Sequence, residues 1–145
     1  MTADANRKTA RRIVLEVFNA GNLDLVDSLF SPDFVDHALP PEVPPTREGF
    51  RSMIPLLRRA FPDLEYTIED QVAEGDKVAQ RLTARGTLKG EFMGMQPTEK
   101  TAVWEEMHWH RFDAGGLLAE HWDITDSLGM MMQLGAEPAS GEGPA

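Results

Sequence analysis

The residues best suited to chemistry lie close together near the C-terminal end. An alternating run from Thr101 to Phe112 is followed by Asp113-Ala114-Gly115-Gly116 and by a second run from Leu117 to Thr125. Two extended runs joined by such a tetrad read as a β-hairpin. With a four-residue loop Phe112 pairs with Leu117, so His110 opposes Ala119, His108 opposes His121, Glu106 opposes Asp123 and Trp104 opposes Thr125. Side chains alternate between the two faces of a sheet, so these residues share one face. Directly opposed Cβ atoms lie about 4.5–5.5 Å apart. Three histidines, a glutamate, an aspartate and a tryptophan are thereby gathered, a set capable of taking up and returning protons.

Two placements of that face remain open on pattern alone. The other face carries Val103, Met107, Trp109, Leu118, Trp122 and Ile124. A half-buried sheet turns its apolar face inward, which would leave His108, His121 and Asp123 as solvated surface. Trp104 on the polar face, and three histidines in one patch, favour a polar pocket whose apolar reverse is covered by a second subunit. Opposed histidines with nearby carboxylates could bind zinc, but no ligand spacing is diagnostic, and no metal is expected. Ser127 lies in no G-x-S-x-G elbow. Met130-Met131-Met132 reads as packing of a terminal helix, and Arg58-Arg59 as a solvated helix face.

The elements that must hold the hairpin come earlier. Ile13, Val14, Val17 and Phe18 recur at helical spacing and predict a helix from about Asp4 to Ala20, closed by Gly21. A short helix over Leu23–Phe30 follows, then the turn residues Ser31-Pro32-Asp33 and an extended segment from Phe34 to Ala38 carrying Asp36 and His37. After a proline-rich loop, Thr46 caps a third helix with Phe50, Met53, Ile54 and Leu57 on one face. Pro55 falls inside that helix and should kink it or remove a hydrogen bond. From Leu64 the period changes to two, giving a strand, a turn at Glu74-Gly75-Asp76 and a second strand over Lys77–Thr87. A last helix is expected over Leu128–Leu134. Helices followed by a meander are an α+β order.

The totals bound the answer. With 145 residues the chain suits one domain, taken as 1–135 with a disordered tail at 136–145. Fourteen basic against 24 acidic residues give a net charge of −10, which argues against nucleic acid or an anionic membrane as partner. The absence of cysteine removes disulfides, thiolate metal sites and thiol nucleophiles. No apolar run approaches a membrane span of about 20 residues, and the N-terminus has no signal-peptide pattern, so a cytoplasmic protein is expected.

The run Arg111-Phe112-Asp113-Ala114-Gly115-Gly116-Leu117-Leu118-Ala119-Glu120-His121-Trp122-Asp123 resembles the C-terminal signature of SnoaL-like proteins of the NTF2-like superfamily. Phe18-Asn19-Ala20-Gly21-Asn22, Phe34-Val35-Asp36-His37, Ala60-Phe61-Pro62-Asp63 and Met95-Gln96-Pro97-Thr98 agree with it in order and spacing. The resemblance implies an NTF2-like cone-shaped barrel, with N-terminal helices packed on a curved antiparallel sheet whose concave face forms a pocket. It also implies homodimers through the outer sheet face and no cofactor. Polyketide cyclases of this kind close a ring of an aromatic polyketide ester by intramolecular aldol condensation. Their acid/base aspartate matches Asp123, with His108 and His121 assisting, and Trp104, Glu106, His110, His37 and Arg81 as candidate substrate-binding residues. A desolvated Asp123 facing Glu106 would have a raised pKa. The cyclases carry glutamine where Glu106 aligns, which points to a different charge and substrate.

Three alternatives belong to the same resemblance. A limonene-type epoxide hydrolase needs an Arg-x-Asp, and the corresponding Arg81-Leu82-Thr83 lacks the aspartate. A hydroxylation-assisting enzyme acts on similar aromatic polyketides. A non-catalytic protein binding a small hydrophobic ligand needs no tuned aspartate.

Overall fold

The computed structural model describes residues 2–135, and the expected tail at 136–145 lies outside them. Thr2 caps the first helix by accepting the Ala5 N–H at 3.0 Å. Helix α1 (Ala3–Arg12) runs without interruption into a π-helical stretch, Ile13–Asn19. Ala10, Ile13, Val14 and Val17 are buried along it, as the apolar periodicity requires. Gly21 then takes a φ of 70°, the left-handed conformation that closes a helix with little steric penalty in glycine. Helix α2 (Asp24–Leu29) leads directly into strand β1 (Phe30–Asp36). Strand β1 begins four residues earlier than the extended segment expected from Phe34.

Helix α3 (Arg47–Ala60) is capped by Thr46 Oγ1, which accepts the Gly49 N–H at 3.2 Å. It spans Pro55 as one element, losing the hydrogen bond a proline cannot donate while burying Phe50 and Ile54 on the same helix. Strands β2 (Glu65–Glu74), β3 (Lys77–Thr87), β4 (Thr101–Phe112) and β5 (Leu118–Thr125) form the meander, and helix α4 (Ser127–Gln133) ends the described chain. No helix among the described residues is long and apolar enough to cross a membrane.

The expected cone-shaped barrel and all-antiparallel sheet are not what forms. The five strands make an open mixed sheet in the order β1-β5-β4-β3-β2, with β1 and β2 at opposite edges. Strand β1 runs parallel to β5, which the sequence pattern did not indicate. Closure would require β1 to pair with β2. Instead α1 and the π-helical stretch pack over β2, and α3 packs against β1, so helices cover the sheet face between the two edges.

The hairpin register also differs from the simple count. Phe112 pairs with Leu118, and beyond an irregularity at Arg111/Phe112 the pairs are His110↔His121, His108↔Asp123 and Glu106↔Thr125. The loop is one residue longer than assumed and the irregularity absorbs another. The two single-residue slips add to two, so His121 and the residues after it keep the predicted face, whereas Leu118, expected on the other face, pairs with Phe112 and is buried with it in the core.

That face is the buried one. Along β4, Ala102, Trp104, Glu106, His108, His110 and Phe112 are buried while Val103, Met107 and Trp109 are exposed. The polar face therefore turns toward the helices, and the more apolar face turns outward. Two apolar clusters support it. Phe30, Phe34 and Phe50 pack together below β1, and Phe61, Leu82, Leu88 and Trp104 pack at the other end of the sheet.

Candidate active site

Between the helices and the inner sheet face lies a cavity of about 230 Å³. Its walls are apolar, with Phe18 from the π-helical stretch, Phe50, Ile54 and Leu57 from α3, Trp104 from β4 and Met130 from α4. Its polar lining includes Asp36, Tyr66, Glu106, His108, His121 and Asp123, and no Lys or Arg occurs among the described residues that line it. With three carboxylates against two histidines and no Lys or Arg, such a pocket favours neutral or cationic ligands over anionic ones.

Glu106 is 6% exposed and accepts three hydrogen bonds. His108 Nε2 lies 2.7 Å from Oε1, while the Trp104 indole N–H and the Tyr66 hydroxyl donate to Oε2 at 2.7 and 3.2 Å. Burial alone would raise its pKa. The contacts with His108, Trp104 and Tyr66 outweigh that and hold it below the usual carboxylate range.

His108 continues the network. Its Nδ1 lies 2.8 Å from His121 Nε2, and His121 Nδ1 lies 3.0 Å from Asp36 Oδ1. Asp36 Oδ1 also accepts the Ala38 N–H at 2.9 Å. Strand β1 brings Asp36 beside His121 because the two residues are paired across the β1–β5 ladder.

Asp123 is set apart from this network. Its Oδ2 is 3.8 Å from His121 Nε2, beyond hydrogen-bond distance, and its side chain is 24% exposed. Burial raises its pKa, His108 and His121 oppose the rise, and the carboxylates of Glu106 and Asp36 add to it. The direction is the one expected from the sequence. The net result is a carboxylate that is a stronger base than in water.

Of the residues singled out from the sequence, Trp104, Glu106, His108, His121 and Asp123 meet at the cavity. His110 is buried behind them, with Nε2 3.0 Å from Gln80 Oε1, and burial pushes its pKa well down, reinforced by His121 and His108. Gln80 in turn donates to Gln71, so its oxygen is an acceptor and His110 Nε2 is the donor. His37 points away from the cavity. It stacks on Trp122 with ring centroids 4.6 Å apart and contacts Glu120. Arg81 lies on the outer face near Asp70 and Glu105.

Sequence reasoning missed Asp36 and Tyr66 as members of the site. Asp36 was visible only as the neighbour of His37, and alternation sends one of that pair inward and the other out. Tyr66 is the single tyrosine of the chain, a signal of residue type with nothing in the local pattern to give its reach.

Donor atoms of His108, His110 and His121, and of Glu106, His108 and Asp123, lie within 4.8 Å of one another, close enough to converge on an ion. Both nitrogens of His108 and of His121 are already engaged in the network just described, so a metal would have to break those contacts. His110 Nδ1 has no hydrogen-bond partner.

Comparison with known proteins agrees with this architecture. The sequence model of a family described as SnoaL-like polyketide cyclase matches residues 8–134. Among solved structures, TsrD from Streptomyces laurentii superposes with a TM-score of 0.85 at 27% identity, covering 94% of this chain and 99% of its own. IdmH from Streptomyces antibioticus, a candidate polyketide cyclase, gives 0.78 at 35% identity over 90% of this chain and 99% of its own. AclR from Streptomyces galilaeus, a candidate hydroxylase, gives 0.80 at 30% identity over 94% and 100%. No curated protein matches the chain.

Proposed function

The chain belongs to the SnoaL-like polyketide cyclase family, and on that premise we propose that it is an acid/base enzyme closing a ring of an aromatic polyketide ester by intramolecular aldol condensation. The observation that carries this reading is Asp123, a carboxylate made more basic by burial at the polar end of an otherwise apolar cavity. A carbon between two carbonyls is acidic enough for such a base. Asp123 takes that proton, and the C–H electron pair becomes an enolate. The enolate carbon attacks a second carbonyl of the same molecule and forms the ring C–C bond. The alkoxide so produced takes the proton back from Asp123, leaving the carboxylate as it began. His108 and His121, whose ring nitrogens are all engaged in the network, act on the developing oxyanion through the positive charge they can hold rather than by a direct hydrogen bond.

The cavity is smaller than the roughly 300–1,000 Å³ usual for small-molecule sites. Its occupant is therefore compact, or the loop carrying Phe92 and Met93 moves to admit it. The test is turnover of an anthraquinone-type polyketide methyl ester by the wild type and by Asp123→Asn. Cyclised product that falls by about 10²–10⁴-fold in the variant supports the reading. Binding of the ester without turnover by either protein would instead make this a ligand-binding member of the family. Similarity to the candidate hydroxylase AclR supports a second reading, in which the same base only deprotonates an aromatic substrate and a separate oxygen-activating enzyme supplies the oxidant and inserts the oxygen. An oxygenated product in place of a new ring would identify it.

We also propose that a second copy of the chain covers the outer sheet face. Val103, Met107, Trp109 and Ile124 are 46%, 54%, 47% and 76% exposed there, more apolar surface than a lone sheet face commonly leaves in water.

A further inference from the structure

Glu106, His108, His121 and Asp36 form a continuous chain, each residue buried and each joined to the next by one short contact. Every one of the three contacts joins two electronegative atoms, so each must contain a proton to be attractive. Two neutral imidazoles bring one proton apiece, and two ionised carboxylates bring none. Three protons needed less two supplied leaves one contact with lone pairs facing each other across at most 3.0 Å. The deficit is removed by one further proton.

The surroundings decide where that proton sits. Glu106 already receives the Trp104 N–H and the Tyr66 hydroxyl on its other oxygen, an environment that favours a carboxylate. Asp36 receives the Ala38 backbone N–H on the oxygen that meets His121. Between these two anions lie two imidazoles, and the extra proton belongs to them. His110 is not part of the chain, because its Nε2–H is directed to Gln80.

We propose that Glu106 and Asp36 are positioning residues that hold His108 and His121 as a pair sharing one proton beyond neutrality, so that a buried cation stands beside Asp123. Every charged or titratable group facing the pair fits this arrangement. Strand β1 supplies Asp36, β2 the Tyr66 hydroxyl, β4 Glu106 and the neutral His110, and β5 Asp123 itself, 3.8 Å from His121. From the helical side Phe18 presents its ring edge-on to His108, with no charge. One cation among three carboxylates keeps Asp123 ionised at rest, although burial works against it. That functional sense rests on Asp123 being the base, whereas the proton count does not.

The test is histidine 15N NMR of the ligand-free protein, with resonances assigned through single-histidine variants. The expected result is one imidazolium equivalent shared by His108 and His121 at pH 7. In Glu106→Gln the side-chain amide N–H meets His108 while the carbonyl still accepts from Trp104 and Tyr66, so three contacts are filled by neutral rings and the imidazolium signal disappears. Asp36→Ala removes the contact at the other end, leaving two contacts for two neutral rings, and the signal disappears there as well. It serves if Glu106→Gln does not fold. Two neutral ring patterns in the wild type at pH 7, or a carboxyl 13C shift placing the proton on Glu106 or Asp36, would overturn the proposal. The spectra are read without substrate, so absence of cyclase activity would leave this result standing, and its failure would leave the Asp123→Asn assay untouched.

Discussion

The hydroxyl of Tyr66, on β2, spans the width of β3 to reach Oε2 of Glu106 on β4 at 3.2 Å. Burial pushes the Tyr66 phenol well up, and the Glu106 charge pushes it further, so it remains a donor at any ordinary pH. The contact ties two non-adjacent strands together beneath the cavity.

Replacing Tyr66 by Phe should therefore weaken the fold by about 1.5–3 kcal/mol, the range for a hydrogen bond to a charged group. Glu106 has its folded pKa depressed, so its contribution is present above the unfolded value and is lost as pH falls through the folded one. The stability gap between wild type and Tyr66→Phe should be widest near neutrality and shrink on acidification. Urea denaturation at several pH values measures this, and a gap independent of pH would count against Glu106 as the partner that matters.

Asp123 carries the opposite sign. Its folded pKa is raised, so the neutral form is the one the fold favours, and stability is lost as pH rises through that value. Asp123→Asn should melt at a higher temperature than the wild type at pH 7, while its catalytic activity falls. The two melting temperatures should converge in acid, once the wild-type carboxyl is protonated in both folded and unfolded states. A variant less stable at every pH would show Asp123 to be a structural residue.

His110 should stay neutral as the solution is acidified. Its depressed folded pKa contributes stability above the ordinary histidine value, and that stability is lost as pH falls below it. In a carbon-detected NMR titration its ring shifts should remain flat through pH 6.5, the value of an unperturbed histidine. A midpoint for His110 near that of a model peptide would contradict the burial argument.

Much of this site could be read from residue order, and the reasons for the exceptions are specific. Alternation placed Trp104, Glu106, His108, His110, His121 and Asp123 on one face, and a register error of two residues left that grouping intact. Local pattern could not show which face was inside, because the outward face is the more apolar one. That choice is made by helices α1 and α3, which cover the polar face. Asp36 joins the site through the parallel pairing of β1 with β5, a contact between residues 85 apart in sequence. No periodicity encodes such a pairing, and the open mixed sheet escaped notice for the same reason.

The outward face gives a prediction of its own. If a second copy covers it, the protein sediments as a dimer, and Trp109→Glu or Met107→Glu converts it to a monomer while the inner cavity stays intact. Analytical ultracentrifugation over a concentration series distinguishes the cases. A wild-type monomer at micromolar concentration would remove the proposed interface.

An open sheet leaves two flanks where a foreign strand can add, and Asn19 at the end of the π-helical stretch bears on one of them. Its side-chain amide accepts the Tyr66 N–H at 2.7 Å and donates to the Tyr66 carbonyl at 2.9 Å, so it meets β2 as a neighbouring strand would. Both backbone groups of that residue are thereby withheld from intermolecular pairing. The asparagine acts as a one-residue stopper against runaway polymerisation along the β2 flank.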